Sequence, residues 1–168
     1  MPLSRIQSES MNLGDDFAFT GTITGAGGGK VLQMQNALFS NQTQSTTSST
    51  FQDSGIEDTI TPSSTSSKIL GIISFTASFD AYANSGVDGN YRIMRGTTEV
   101  TRRRLNSWTD TGTNPTTITF VDSPATTSAV TYTLEYARTG AYAGNPNVGI
   151  GSSNADIDDE VILLEIAQ

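Results

Sequence analysis

The sequence predicts an all-β protein, an antiparallel β-sandwich of jelly-roll type that carries an extended N-terminal arm. Several stretches alternate apolar and polar residues with a period of two, as half-buried strands do. No stretch shows the apolar spacing of an amphipathic helix. Short segments rich in Gly, Pro, Asn, Asp and Ser separate the candidate strands, as turns separate the strands of a sandwich.

Two stretches show the alternation most clearly. Residues 68–82, KILGIISFTASFDAY, are apolar on both faces in their first half, which suits a central strand. One face of this stretch carries Ile69, Ile73, Phe75, Ala77 and Phe79. In residues 129–139, AVTYTLEYART, the inward side chains are Val130, Tyr132, Leu134 and Tyr136. Further candidate strands are residues 30–40, 90–100, 116–122 and 160–168.

Composition and charge exclude several classes of function. The 168-residue chain has a net charge of −8 and a pI near 4.3, so its average field repels nucleic acid and anionic lipid. It contains no cysteine and no histidine, which removes thiolate nucleophiles and the commonest general base and zinc ligand. No apolar run approaches the ~20 residues that span a bilayer, and no secretory signal is recognisable. We expect a protein that is not an enzyme, takes no cofactor, and neither binds nucleic acid nor inserts into a membrane.

The glycine-rich segment GAGGGK, residues 25–30, divides the chain into an N-terminal arm (1–29) and a head domain (30–168). It is not a phosphate-binding loop, because the residue after the lysine is Val31 and no helix is predicted to follow. Its glycines favour a flexible hinge at 25–29. The arm is too apolar for a free tail and too short for its own core, so we expect it to dock elsewhere in the particle or on a sister chain. The candidate docking residues are Leu3, Ile6, Met11, Leu13, Phe17 and Phe19.

Four phrases of the head domain carry a resemblance to a known family. ITPSSTSSKIL, RGTTEV, DSPATTSAVTY and LLEIA occur in that order between residues 30 and 168. This part of the chain resembles the C-terminal head domains of phage fibre proteins, especially those of marine and cyanobacterial phages, and the first residues resemble the short segments that precede such heads. The resemblance implies a virion structural protein with a β-sandwich head, commonly assembled as a homotrimer. It does not decide between the tail and the capsid.

The final stretch, VILLEIAQ, is apolar on both faces except at Glu165. One sheet of a two-layer sandwich covers only one side of a strand, so the second side needs another cover. A buried central strand of a monomer and a contact with a neighbouring subunit both account for the pattern, and the family resemblance favours the subunit contact. The predicted interface residues are Val161, Leu163 and Glu165.

Arginines and aromatic residues supply candidate receptor contacts. Arg102, Arg103 and Arg104 are consecutive, and alternation in a strand would place them on different faces. Trp108 lies in a polar context nearby. Exposed aromatic and arginine side chains suit contact with a host glycan or an acidic partner, although charge runs are usually solvated and loop aromatics are often anchors. The candidate receptor contacts are Tyr82, Arg103, Trp108 and Tyr142.

The acidic segment NADIDDE, residues 154–160, is the candidate for a divalent cation. Asp156, Asp158, Asp159 and Glu160 offer the hard oxygen ligands that calcium prefers. The segment lacks the full calcium-loop pattern, which favours a solvated loop.

Three functions follow from these observations. The first is a trimeric fibre head, anchored by its arm and presented for host attachment. The second is a capsid decoration protein, either a cement protein or a head fibre. The third, a polysaccharide depolymerase, is disfavoured because no internal repeat of a β-helix is visible.

Overall fold

The computed structural model describes residues 30–40, 42–80, 86–107, 112–140, 144, 146–151 and 158–168. The predicted arm and its glycine hinge, residues 1–29, lie outside these residues. Within them the regular structure consists of strands, and every strand pairing is antiparallel. The predicted all-β, antiparallel sandwich is confirmed for this part of the chain. The described residues include no helix of the length and apolarity that crossing a membrane requires.

Ten strands build two sheets. Their bounds are β1 Val31–Ser40, β2 Gln44–Thr46, β3 Gln52–Ile60, β4 Lys68–Asp80, β5 Val87–Arg95, β6 Thr98–Ser107, β7 Gly112–Asp122, β8 Val130–Thr139, β9 Asn147–Ile150 and β10 Asp158–Ile166. Sheet A has six strands, in the order β1-β10-β4-β9-β2, with β7 on the other side of β4. Sheet B has four strands, in the order β3-β8-β5-β6.

The long strand β4 organises sheet A. One of its edges pairs with β7 over nearly its whole length, from Ile69 to Phe79. The other edge is shared: β10 pairs with the first half, up to Ser74, and β9 pairs from Ala77 onward. The two partners separate at Thr76, whose N–H donates to the Asp159 carboxylate at 3.0 Å and whose C=O accepts from the Gly151 N–H at 2.8 Å. We call this point, where β10 and β9 diverge along β4, the fork. The N–H and C=O groups of Thr76, which have no strand partner at the fork, are therefore both hydrogen-bonded.

The hydrophobic core lies between the two sheets. Sheet A contributes the inward residues of β4, β7, β9 and β10, and sheet B contributes those of β3, β5 and β8. At Gly71 a side chain would collide with the ring of Phe120 in β7, which lies 2.1 Å from the position of a Cβ, so the glycine makes room for that ring. Close packing of this kind makes the inner faces sensitive to changes in volume.

Polar contacts tie the sheets together at the margins of the core. The Tyr91 hydroxyl of β5 donates to the Gly149 C=O of β9 at 2.9 Å. On the β7 side, the Asp122 carboxylate accepts from the Tyr132 hydroxyl at 2.8 Å and from Arg95 Nε at 2.6 Å. Burial, followed by the hydrogen bond to Asp122, raises the pKa of Tyr132. These phenols therefore remain protonated donors, as buried tyrosines require.

Glu165 is a fully buried carboxylate of β10 that joins β1 and the loop between β3 and β4. Its oxygens accept from Gln33 Nε2 of β1 at 2.6 Å, and from the N–H and hydroxyl of Ser63 at 2.8 and 2.7 Å. Burial disfavours the charged form, but the hydrogen bonds from Gln33, Ser67 and Ser63 outweigh it and lower the pKa of Glu165 to about 2. The phrases ITPSSTSSKIL and LLEIA, which lie far apart in the sequence, thus meet at one side chain.

Most of the predicted strands are present, with one wrong assignment. Strands β1, β4, β7, β8 and β10 confirm the candidates at 30–40, 68–82, 116–122, 129–139 and 160–168, and the inward residues predicted for β4 are buried. Residues 90–100 are not one strand: Arg95 pairs with Thr98 across a two-residue turn, in which Gly96 has φ of +56°. A Gly at the first turn position suits the tight hairpins that match strand twist. Strands β2, β3 and β9 were not predicted.

Glu165→Gln is expected to lower the free energy of unfolding at pH 7 by about 1–3 kcal/mol, because the new amide would point a donor at existing donors. For the unchanged protein, a lowered pKa means that stability present above about pH 4.5 is lost as the pH falls towards 2. The variant should lack this part of the pH dependence. Urea denaturation between pH 2 and pH 7 measures both effects.

Asp159→Asn is the matched control. Burial raises the pKa of Asp159, so the folded protein stabilises its charged form less than water does. Asparagine removes the charge and keeps an oxygen for the Thr76 N–H. The stability at pH 7 should be unchanged or higher, and a loss equal to that of Glu165→Gln would contradict this account.

Candidate assembly surface

The side of sheet A that faces away from the core carries many apolar side chains, with the polar Asn36 and Thr119 at the two ends of the row that holds Ile162 and Ile72. Because side chains alternate across a strand, every second residue of β1, β4, β7 and β10 points outward. We name this surface the outer apolar face. It consists of Leu32, Met34 and Leu38 of β1, Leu70 and Ile72 of β4, Val121 of β7, and Ile162, Leu164 and Ile166 of β10.

Strand register places these side chains next to one another. Met34 pairs with Leu164, Leu164 with Leu70, and Leu70 with Val121, so one row of four apolar residues crosses four strands. The outermost members are the most exposed: Met34 is 61% and Val121 is 62% accessible, and Leu38 reaches 63%. A contiguous exposed apolar patch of this kind is typical of a surface that another molecule covers.

Polar groups border the outer apolar face at both ends of the strands. At one end Lys68 of β4 lies beside Ile166. At the other end Glu160 of β10 pairs with Ser74 and accepts from Asn36 Nδ2 at 2.7 Å. The Ser74 and Thr117 hydroxyls are hydrogen-bonded to each other at 3.1 Å. An apolar centre with a polar rim is the usual anatomy of a protein interface.

The outward side of sheet B has the opposite character. Arg92 forms ion pairs with Glu135 at 2.6 Å and with Glu99 at 3.3 Å, and Arg102 pairs with the same Glu99 at 2.5 Å. The Arg92 guanidinium also lies over the Phe51 ring, 3.8 Å from its centre. The two sheets share one core, but among the described residues only sheet A presents an apolar surface outward.

The predicted interface residues lie on the inward face of β10. Val161, Leu163 and Glu165 are fully buried inside their own chain, the first two in the hydrophobic core, so they are not available to a second subunit. Hydrogen bonds satisfy the Glu165 carboxylate inside the sandwich. The opposite face of β10, which was not predicted to be an interface, directs Ile162, Leu164 and Ile166 outward.

The structure describes one of the four candidate receptor contacts. Arg103 is exposed on β6, and it is without an ion pair among the described residues, whereas Arg102 pairs with Glu99 and Arg104 with Asp88. Tyr82, Trp108 and Tyr142 lie outside the described residues.

The strand ends that flank these three aromatic residues meet at one end of the sandwich. In sheet A, Phe79 near the end of β4 pairs with Gly112 at the start of β7. In sheet B, Val87 at the start of β5 pairs with Ser107 at the end of β6. Residues 81–85 connect β4 to β5 and residues 108–111 connect β6 to β7, so these four strand ends lie at the same end of the sandwich. The end of β8 joins them, because Asp88 pairs with Thr139.

The candidate cation ligands are divided between two faces. Asp159 is buried beneath the fork, whereas Asp158 and Glu160 point outward, and Asp156 lies outside the described residues. No group of three or more His, Cys, Asp or Glu side chains suited to a metal ion occurs in the described part of the chain.

Comparisons with known proteins add a distant structural neighbour. No protein-family model matches the chain, and no curated protein matches it. The VP2 subviral particle of infectious bursal disease virus is similar in structure over 82% of this chain, with 14% sequence identity and a TM-score of 0.39. This chain spans 38% of that neighbour's length. A likeness of this degree carries no argument about function.

Two adjacent leucines test the assignment of the faces. Leu163→Ala should lower the free energy of unfolding by about 2–5 kcal/mol, because it leaves a cavity in the core. Leu164→Ala should cost less than about 1 kcal/mol in the dilute protein, since its side chain is outward, but should weaken self-association. Urea denaturation at low concentration and sedimentation velocity at high concentration measure the two effects. Equal losses of stability would contradict the assignment.

Proposed function

We propose that the chain is a non-enzymatic structural protein of a virus particle, and that its sandwich is the head of an assembled appendage. The observation that carries the proposal is the outer apolar face. A single chain in water leaves Met34 and Val121 more than half exposed, at the two ends of one apolar row that crosses four strands. Such a surface is stabilised when another protein covers it, which is the normal state of an assembled subunit.

The arm and the candidate receptor contacts are attached to opposite ends of the sandwich, as an anchor and a presented tip require. The arm joins the described chain at Lys30, whose C=O accepts from the Ala167 N–H, close to the Lys68 end of β4. The strand ends next to Tyr82, Trp108 and Tyr142 lie at the opposite end. At about 3.3 Å per residue, the 13 residues of β4 separate the two ends by about 40 Å. The proposal places the particle at the arm end and the host surface at the far end.

The sequence resemblance described above supports the same role. Its phrases coincide with structural elements: RGTTEV forms the β5–β6 hairpin, and ITPSSTSSKIL and LLEIA meet at Glu165. The sequence segments that carry the resemblance therefore belong to the sandwich itself, as expected if the resemblance concerns the head domain. A capsid decoration protein is the second candidate, because an apolar sheet face also suits a seat on a shell.

Deletion of residues 1–29 is expected to abolish incorporation into particles while the sandwich stays folded. Virions would be purified from a lysate of a virus that carries this gene, and the chain would be followed by immunoblotting and circular dichroism. Arg103→Ala is the matched control, because Arg103 lies outside both the arm and the outer apolar face. It should incorporate normally.

Copy number separates the two locations. Few copies per particle indicate a tail appendage, whereas copies that scale with the number of capsid subunits indicate decoration of the shell. If the full-length chain is absent from purified particles, the proposed role as a virion protein is wrong.

A further inference from the structure

We infer that the outer apolar face is covered by the same face of a second copy of this chain, with the strands of the two sheets antiparallel. This inference rests on the proposed role of the face as an assembly surface, and it specifies the occupant. It concerns a two-fold pair, which differs from the trimer that the family resemblance implies.

The arrangement of charge on the face favours a second copy. Lys68 lies at one end of the apolar rows and Glu160 at the other, and the two are separated by six residues of β10, from Glu160 to Ile166, or about 20 Å. Lys68 has no ion pair among the described residues, and its neighbours on the face are apolar. The face therefore carries opposite charges at opposite ends.

Only one of the two simple ways to stack the face on itself matches these charges. A two-fold axis parallel to the strands would place each Lys68 over the partner's Lys68, which is repulsive. A two-fold axis across the strands reverses the strand direction and brings Lys68 over the partner's Ser74. The partner's Glu160 pairs directly with that serine, one strand away, within reach of a lysine side chain. The antiparallel arrangement thus creates two equivalent ion pairs.

The apolar side chains at the centre of the face also match in this arrangement. With the axis across the strands and level with Leu163, β1 lies over the partner's β1, so that Val31, opposite Ile166, meets the partner's Leu38, opposite Glu160. The row that holds Leu70 and Leu164 lies over the partner's row that holds Ile72 and Ile162. The contacts on β4 and β10 place apolar side chains against apolar side chains in a layer about 10 Å thick, the usual spacing of packed sheets. On the flanking strands Met34 lies over the partner's Asn36 and Val121 over the partner's Thr119. A two-fold interface is self-complementary in this way by definition.

Charge reversal at the two ends tests the pairing. Lys68→Glu and Glu160→Lys, each alone in the full-length chain, should raise the dimer Kd about tenfold or more, because two attractive pairs become two repulsive ones. An equimolar mixture of the two variants should restore association, since each chain then offers the charge that the other needs. Sedimentation velocity at low salt gives the masses. Added salt should reduce the differences between variants.

Arg103→Glu is the control for charge alone. It changes the net charge by the same amount as Lys68→Glu, at an exposed site on the edge of sheet B, and should leave the dimer unchanged. Circular dichroism checks that each variant is folded, which matters for Glu160→Lys because it removes the acceptor of Asn36.

Three results would overturn the inference. If the full-length chain is a monomer and deletion of residues 1–29 makes it associate, the arm covers the face. If the chain forms a trimer or larger species that Leu164→Ala breaks and the charge reversals do not, the face is an assembly surface with a different geometry. If neither Leu164→Ala nor the reversals change the mass, the proposed assembly surface itself is wrong.

Discussion

The alternation of side chains across β4 and β10 is the constraint on which the rest of the structure depends. Both strands are apolar on their two faces, but a pleated strand can direct only one of them into its own sandwich. Ile73 and Leu163 enter the core, and as a consequence Ile72 and Leu164 point away from it. The same rule separates Arg102 from Arg103 and Asp158 from Asp159. The division between core side chains and the outer apolar face follows from this period of two.

Sequence patterns predicted the sandwich, five of its strands and the inward faces of β4 and β8, because apolar alternation reports burial directly. They did not predict β3, in which acidic residues occupy the outward positions and a register shift at Gly55 interrupts the period. They merged β5 and β6, because Gly96 and Thr97 are a weak turn signal beside the Asn-Gly and Asp-Gly pairs that mark most tight hairpins.

The sequence predicted the strand that carries the candidate assembly surface, but not which of its two faces points outward. The two-sided apolar pattern of VILLEIAQ indicated an interface, but the pattern does not distinguish the two faces of the strand. Glu165 lies on the face that is buried, because hydrogen-bond donors from distant segments satisfy it there. Ser63 and Gln33 lie 102 and 132 positions away in the chain, so local sequence gives no sign of their contact with Glu165. Pairwise register across four strands, which defines the outer apolar face, is likewise a property of the folded chain.

The position of β10 in the middle of sheet A has a consequence for synthesis. β1 is the first of the ten strands to leave the ribosome, and its partner β10 is the last. At about 5–20 residues per second, β1 waits on the order of ten seconds with no partner strand. Its apolar residues and open backbone edge are exposed during that time, when chaperones and proteases have access to them. Chains that terminate before β10 lack the strand that joins β1 to β4, so they cannot complete sheet A.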